Sequence, residues 1–256
     1  MTKQIPNLFT LLNLVFGCVA IVFIMQTQSF AITTDEDIRS ISLPENIALG
    51  AICIFIAAVI DFLDGFVARL MKATSDMGKQ LDSLSDVVSF GVAPALIFYQ
   101  LLRMCYLTQT DSFQTGIGVL VPAFIFACAG AYRLARYNLD ESQATGFKGV
   151  PIPAAGLIVA SLPLILRANY FDGAINHLLF GKWIFYGLIA LLSWLMVSRL
   201  PLMALKFKDL SIANNVPKII LLVAGVASAF LLEWLAVPVV FLLYIILSLT
   251  FKQKDS

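Results

Sequence analysis

The sequence predicts an all-α protein, a polytopic membrane bundle of about eight transmembrane helices. Composition is the first observation behind this prediction: of 256 residues, 60% are hydrophobic and 13% are charged. A soluble domain is usually about 45–50% apolar and about 25% charged. The second observation is that the apolar residues fall into long runs, and a helix needs roughly 20 apolar residues to cross the bilayer core.

Eight apolar runs are interpreted as membrane helices, and they follow one another with short polar connections. They are residues 8–25, 46–70, 80–102, 116–138, 152–167, 182–199, 217–233 and 235–251. The first run is too long for the core of a signal peptide and lacks a cleavage motif, so we expect a retained helix. The last two are separated only by a turn and should form a hairpin. We expect one membrane domain over residues 1–256, with a core at about 5–200 and an additional hairpin at about 217–251.

The basic residues indicate how these helices are oriented. If the N-terminus is cytoplasmic, thirteen of the 17 lysines and arginines lie on the cytoplasmic side and four lie on the other. Cytoplasmic loops carry the excess of basic residues in membrane proteins. The sequence therefore predicts a protein of the cell membrane with both termini in the cytoplasm.

Several classes of function are excluded by composition. A net charge of +1 offers no basic surplus for nucleic acid. The four cysteines are isolated, so they indicate neither a disulfide framework nor a zinc site. His177 is the one histidine, which nearly excludes serine–histidine, paired-histidine and histidine-zinc chemistry. Any catalysis must therefore depend on carboxylates.

Four aspartates stand where hydropathy predicts membrane or its edge: Asp61, Asp64, Asp82 and Asp86. Each charged aspartate near a helix centre costs roughly 2.5–3.5 kcal/mol on insertion scales, so four require partners. The first two are three residues apart and the last two are four apart, so each pair shares a helix face. Because the connection between the two helices is short, we expect antiparallel neighbours whose carboxylates converge near the cytoplasm.

Converging carboxylates without histidine form an oxygen-rich site, which suits Mg²⁺, Mn²⁺ or Ca²⁺. Two such ions can clamp an in-line displacement at phosphorus. Gly65 and Ala68 continue the face of Asp61 and let a bulky ligand approach the backbone. Arg69 follows at the edge, where its guanidinium can bind phosphate oxygens. The residue types also allow an ion-translocation cluster of a transporter, and both alternatives stay open.

The spacing of these residues resembles a family signature. Residues 61–86 read D-x2-D-G-x2-A-R-x8-G-x3-D-x3-D, which resembles the signature of the CDP-alcohol phosphatidyltransferase family at all eight positions. The resemblance implies a six-helix core, two divalent ions (Mg²⁺ or Mn²⁺), and displacement of CMP from a CDP-linked lipid by an alcohol. It implies metal ligation by Asp61, Asp64, Asp82 and Asp86, with Asp86 also the general base. It implies a CDP-lipid pocket lined by Asn7, Thr10, Gly65, Ala68, Arg69 and Gly78.

Three further stretches resemble the phosphatidylserine-forming branch of that family. They are residues 5–21, IPNLFTLLNLVFGCVAI; residues 81–95, LDSLSDVVSFGVAPA; and residues 132–138, YRLARYN, followed by FKGVPIPAAG at 147–156. This resemblance implies CDP-diacylglycerol as the donor, L-serine as the acceptor, and contact with membrane lipids. It leaves a homodimer open.

Four residues are expected to bind the acceptor: Arg133, Arg136, Asn138 and Lys148. The two arginines lie at i and i+3 at the cytoplasmic end of the fourth helix, where they could hold a carboxylate or a phosphate. They could instead only anchor the helix end. An acceptor that carries phosphate would also favour arginines, so phosphatidylglycerophosphate synthesis stays open as an alternative.

Overall fold

A computed structural model describes residues 5–26, 32–35, 38–41, 43–71, 75–109, 116–139, 147–168, 170, 181–203 and 212–250. Helices dominate these residues. The helices are α1 Ile5–Met25, α2 Glu45–Leu70, α3 Asp76–Asp86, α4 Ala93–Gln109, α5 Ile117–Leu120, α6 Ile125–Leu139, α7 Ile152–Ala168, α8 Lys182–Val197, α9 Ile212–Leu232 and α10 Ala236–Thr250. A π-helical turn, Val87–Val92, joins α3 to α4, and 3₁₀ turns join α5 to α6 and α9 to α10.

Each of the eight predicted apolar runs is mostly helical where the structure describes it. Five helical stretches among the described residues are long and apolar enough to cross a membrane, and α7 and α8 are shorter apolar helices. The five stretches are Pro6–Met25, Glu45–Leu70, Asp76–Leu107, Ile117–Leu139 and Val216–Thr250. The chain is therefore a polytopic helical membrane protein.

The last of these stretches is a hairpin, as the sequence predicts. The chain reverses at Glu233–Leu235, where Glu233 has a φ of 47°. A Cβ added to Gly225 would lie 4.0 Å from the Val240 side chain. Positions on either side of the turn thus face each other, and α9 and α10 are antiparallel.

Two short strand pairs accompany the helices and were not predicted, while the all-α class is confirmed. β1 (Ile32–Asp35) pairs antiparallel with β2 (Ile38–Ile41), and β3 (Phe147–Lys148) pairs antiparallel with β4 (Pro201–Leu202). Strands of two to four residues are too short to produce a detectable alternation of apolar and polar positions. The second pair joins chain segments that are far apart in sequence.

Helix α3, the π-helical turn and α4 follow one another as one continuous rod. Two serines and one glutamine of this rod donate hydrogen bonds to backbone carbonyls of α1. Ser85 Oγ donates to the Thr10 carbonyl (3.0 Å) and Ser89 Oγ to the Asn13 carbonyl (3.1 Å). Gln100 Nε2 donates to the Ile24 carbonyl (3.0 Å) near the other end of α1. Polar side chains within a membrane bundle commonly bond across helices in this way. These bonds set the register of α1 against the rod.

The core lies among α2, α4, α6, α7 and α8. Phe98 and Phe126 are fully buried, with ring centroids 5.8 Å apart at a steep angle, an arrangement that aromatic pairs favour. Beyond this core, one end of the bundle carries an Arg167–Glu45 ion pair (3.2 Å) and a Tyr170–Glu233 hydrogen bond (2.6 Å). The opposite end carries the aspartates.

Candidate active site

The signature aspartates of α2 and α3 meet beside α1, which packs against both helices. One carboxylate oxygen from each of Asp61, Asp64 and Asp82 lies within 4.8 Å of the others. Asp86 lies one turn beyond Asp82 and is an electrostatic neighbour of the other three aspartates. Helices α2 and α3 are joined by a short connection, so each brings its pair to the same end of the bundle. The convergence that the spacing predicts is thus present in the structure.

The donor set of this cluster fits a divalent cation. Asp64 is 5% exposed and its Oδ2 has no hydrogen-bond partner. Among the described residues, the ion pair found joins Arg167 to Glu45, far from the cluster, and no basic side chain forms a salt bridge with the four aspartates. Crowded carboxylates without a cation repel one another and lose hydration on burial. Oxygen-only ligands are those that Mg²⁺ and related ions prefer.

A cleft of about 410 Å³ opens beside the cluster, between α1, α2 and α3. All six residues expected to bind the CDP-lipid line this cleft, together with two of the aspartates. The lining is Pro6, Asn7, Thr10, Asp64, Gly65, Ala68, Arg69, Ser75, Asp76, Gly78, Lys79 and Asp82. Sequence reasoning missed Pro6, Ser75, Asp76 and Lys79. Lys79 could have been found, because it precedes Asp82 by three residues and therefore shares its helix face.

The two glycines of the signature, Gly65 and Gly78, have different roles in the structure. A Cβ on Gly78 would lie 3.0 Å from Asn7 Oδ1 and 3.1 Å from Ser75 Oγ, so a side chain there would crowd the Asn7 side chain of α1 and the cap of α3. Ser75 Oγ also accepts a hydrogen bond from the Gly78 amide (3.0 Å) and caps α3. A Cβ on Gly65 would meet nothing within 4 Å. Gly65 therefore keeps space in the cleft and is not needed for helix packing.

Asn13 is a further site residue, which follows Asn7 and Thr10 at helical spacing on α1. Its side chain is fully buried, and its Nδ2 approaches Asp86 Oδ1 at 3.5 Å as a donor. Its Oδ1 has no hydrogen-bond partner. Asn13 lies one turn beyond Thr10 on α1, so the polar stripe Asn7, Thr10 and Asn13 leads from the cleft to Asp86.

The residues expected to bind the acceptor are not equivalent in the structure. Arg133 is 4% exposed, interacts electrostatically with Asp86, and has an Nε without a hydrogen-bond partner. Its guanidinium carbon lies 5.9 Å from the centre of the Tyr137 ring. Asn138 Nδ2 donates to Ser83 Oγ on α3 (2.8 Å). Arg133 and Asn138 therefore lie near α3, the helix that carries Asp82 and Asp86.

Arg136 is directed away from the carboxylates. Its Nη1 donates to the Val197 carbonyl (2.9 Å) and its Nη2 to the Ser198 carbonyl (3.2 Å), at the end of α8. Basic side chains commonly bond the last carbonyls of a helix. For Lys148, the structure describes the backbone, which pairs with Pro201, and its side chain lies outside the described part. His177 also lies outside the described residues.

Comparison with known proteins gives a consistent result. A family model described as CDP-alcohol phosphatidyltransferase matches residues 3–197. The chain is similar to the CDP-diacylglycerol–serine O-phosphatidyltransferase of Methanocaldococcus jannaschii, 38% identical over 128 residues, which are 50% of this chain and 56% of that protein.

Proteins of the same name in two bacteria are also similar to the chain. The Bacillus subtilis protein is 38% identical over 120 residues, 47% of this chain and 63% of that protein. The Helicobacter pylori (strain J99) protein is 35% identical over 200 residues, 76% of this chain and 70% of that protein. The chain thus spans less than two thirds of the Methanocaldococcus and Bacillus relatives.

Proposed function

Because the chain belongs to the CDP-alcohol phosphatidyltransferase family, we propose that it transfers a phosphatidyl group from CDP-diacylglycerol to L-serine. The products are phosphatidylserine and CMP. The observation that carries the proposal is the cleft of about 410 Å³, which joins the carboxylate cluster to the six residues of the CDP-lipid pocket. The names of the three relatives support serine as the acceptor.

The cleft binds the CDP part of the donor in this proposal. Arg69 and Lys79 line it and supply positive charge for the two phosphates. Gly65 and Ala68 keep the α2 side open for the nucleotide. Asn7 and Thr10 offer an amide and a hydroxyl from α1 to its polar edges.

Asp61, Asp64, Asp82 and Asp86 would hold two divalent ions, Mg²⁺ or Mn²⁺. When bound, such ions offset the charge of the pyrophosphate and stabilise CMP as a leaving group. The unpartnered Asp64 Oδ2 and the clustered oxygens of Asp61 and Asp82 support this assignment. On this assignment, binding of the ions offsets the free-energy cost of burying four carboxylates in one place.

Asp86 is the general base for the acceptor. It takes the proton of the serine hydroxyl while the hydroxyl oxygen attacks the phosphorus of the phosphatidyl group. The bond from that phosphorus to the oxygen of CMP breaks, and CMP leaves with the electron pair. Asn13 Nδ2 approaches Asp86 Oδ1 and holds the carboxyl in one orientation, so that its other oxygen can accept the proton.

Arg133 binds the serine carboxylate in this scheme. It is buried, electrostatically coupled to Asp86, and has a free Nε, and a charged ligand would satisfy that group. Arg136 positions the end of α8, because both of its terminal nitrogens already donate to carbonyls. Asn138 orients Ser83 on α3. Lys148 is kept as a further acceptor ligand on the family resemblance alone.

The active site faces the cytoplasm of the cell in this proposal, with both termini on the same side. The bias of thirteen basic residues to four supports it. The donor is made from CTP and the acceptor is a free amino acid, so both substrates are reached from the cytoplasm. The aspartates, Arg133 and Arg136 all belong to the basic end of the bundle.

The decisive experiment uses the purified full chain with CDP-diacylglycerol and Mg²⁺ or Mn²⁺. A panel of labelled alcohols (L-serine, glycerol 3-phosphate and inositol phosphate) is scored for lipid product and CMP release, with Asp82→Asn as the inactive control. We expect product with serine. Product with glycerol 3-phosphate would instead favour phosphatidylglycerophosphate synthesis. Ion flux in proteoliposomes without CMP release would favour a transporter.

A further inference from the structure

The C-terminal hairpin reaches the acceptor side of the site although the family model ends before it. The model matches residues 3–197, and α9 and α10 follow at Ile212–Leu232 and Ala236–Thr250. No site residue assigned above lies on either helix. Two side chains near the end of α10, Tyr244 and Ser248, are nevertheless buried, at 8% and 3% exposed.

Both side chains bond to the backbone of one residue. Tyr244 Oη donates to the Met203 carbonyl (3.0 Å), and the Met203 amide donates to Ser248 Oγ (3.2 Å). Residues at i and i+4 share a helix face, so α10 presents a matched donor and acceptor to this peptide. Met203 immediately follows β4 and is thereby fixed on α10.

The segment that α10 binds, residues 197–203, also forms hydrogen bonds with Arg136 of α6 and with Gly149. Residues 197–203 run from the end of α8 through β4. Arg136 of α6 donates to the carbonyls of Val197 and Ser198 at the start of this segment. The Gly149 amide donates to the Leu200 carbonyl (3.0 Å) in its middle. The segment therefore lies between α6 on one side and α10 on the other.

Tyr244 is also an electrostatic neighbour of Arg133. Arg133 is 4% exposed, and its Nε has no hydrogen-bond partner. A buried guanidinium with an unused donor is costly unless a ligand completes its hydrogen bonds. The tyrosine thus contributes to the electrostatic surroundings of the side chain that we assign to the acceptor carboxylate.

We propose that Tyr244 and Ser248 are positioning residues for the acceptor. They fix residues 197–203 against α6, and this support holds Arg133 in the orientation that receives the acceptor carboxylate. The inference rests on the proposed function. It gives the C-terminal hairpin a role in substrate recognition, in addition to its place in the membrane.

The test compares Tyr244→Phe and Ser248→Ala with wild type in the full-length protein. Ser228→Ala is the matched control, because this serine is also a buried residue of the hairpin but bonds only within α9, to the Gly225 carbonyl (3.1 Å). Steady-state kinetics are measured with each substrate varied in turn. We expect the acceptor KM to rise about three- to tenfold in both variants, the effect of one lost hydrogen bond. In these two variants the KM for CDP-diacylglycerol should change less than twofold. In the control Ser228→Ala, both KM values should change less than twofold.

Ser248→Thr keeps a hydroxyl and should restore most of the acceptor affinity, which a purely volumetric effect would not produce. An unchanged acceptor KM in Tyr244→Phe and Ser248→Ala overturns the inference. So does an equal loss for both substrates, which would indicate general damage to packing. If wild type uses an alcohol other than serine, the proposed function fails, and the same comparison is made with that alcohol. If Tyr244→Phe does not fold, Ser248→Ala and Ser248→Thr decide.

Discussion

Asp86 differs from the other signature aspartates in its surroundings. Asp61, Asp64 and Asp82 contribute to one oxygen cluster, whereas Asp86 is 7% exposed and lies beside Asn13. We therefore expect two kinds of loss. Asp61→Asn or Asp82→Asn should abolish turnover and weaken metal-dependent binding of CDP-diacylglycerol. Asp86→Asn should stop turnover while CDP-diacylglycerol binding largely persists.

Equilibrium binding of labelled CDP-diacylglycerol and product formation separate these two effects. Each variant must reach the membrane in wild-type amounts, which is measured in the same preparations. Near-normal turnover of Asp61→Asn or Asp82→Asn at saturating metal would contradict the assignment of these carboxylates as ligands.

Asn13 should affect the chemical step and not donor binding. Asn13→Leu removes the amide that approaches Asp86 Oδ1 and leaves the shape of α1 nearly unchanged. We expect kcat to fall roughly tenfold, the cost of one hydrogen bond to a charged group, with an unchanged KM for CDP-diacylglycerol. Cys18→Ala, an exposed position on the same helix, is the control. A rise in the donor KM alone would instead place Asn13 in the nucleotide pocket.

The two arginines of α6 should give different phenotypes. Arg133→Ala should raise the serine KM about tenfold to a hundredfold, because a charge-assisted hydrogen bond is worth roughly 1.5–3 kcal/mol. Arg133→Lys should restore the serine KM only in part, because an ammonium group lacks the planar guanidinium that can donate two parallel hydrogen bonds. Arg136→Ala should lower the melting temperature and raise the serine KM by only about three- to tenfold, because its bonds hold the Val197 and Ser198 carbonyls of the segment that supports Arg133. Equal effects on serine binding would show that both arginines contact the acceptor.

At the scale of elements, the contact between α1 and the π-helical turn Val87–Val92 depends on a glycine. A Cβ on Gly17 would clash with Ser89 Oγ and would lie 2.9 Å from Ser89 Cα. Gly17→Ala should therefore destabilise the protein by about 1–3 kcal/mol, as overpacking does. It should also reduce turnover, because Asn13 and Asp86 lie one turn away.

Gly187→Ala on α8 is the matched control, since a Cβ there would meet nothing within 4 Å. Its melting temperature in detergent should equal or exceed that of wild type. If Gly17→Ala has the same melting temperature as this control, α1 can shift without cost. The hydrogen bonds from Ser85 and Ser89 would then not fix its position tightly.

The sequence predicts elements better than it predicts their contacts. The helices are predictable because a membrane requires long apolar runs, and the carboxylates are predictable because they interrupt such runs. The acceptor side is less predictable. Arg133 and Arg136 differ by three positions, and the sequence does not show that one is buried with an unpartnered Nε while the other bonds to the end of α8. Tyr244 is separated from Arg133 by too many residues for any local pattern to join them.

At the scale of the whole molecule, the two ends of the bundle differ in chemistry. One end holds the aspartates and the cleft, and the other holds the Arg167–Glu45 ion pair and the Tyr170–Glu233 bond. We expect the first end to face the cytoplasm. In a variant without the native cysteines, Ser75→Cys should react with an impermeant thiol reagent only after cells are opened.

Gly116→Cys tests the opposite end and should react in intact cells. Both positions are exposed in the structure, so a lack of reaction reports the side of the membrane and not burial. The reverse pattern would invert the orientation and place the nucleotide substrate on the wrong side.

The π-helical turn Val87–Val92 has a consequence for which changes of length the chain tolerates. It follows Asp86 directly and precedes Gln100, whose bond to Ile24 fixes the far half of the rod. A π turn holds one residue more than an α turn. Deleting one residue from an α-helical part of the rod, such as α4 before Gln100, would rotate Asp82 and Asp86 by about 100° relative to that fixed half. Deleting one residue from the π turn would instead leave an α turn that completes nearly the same rotation, so the carboxylates would keep their direction toward the cluster. The π turn is therefore the place in this helix where the chain tolerates the loss of a residue without losing the geometry of the site, whereas bilayer thickness sets only the overall length of the helix.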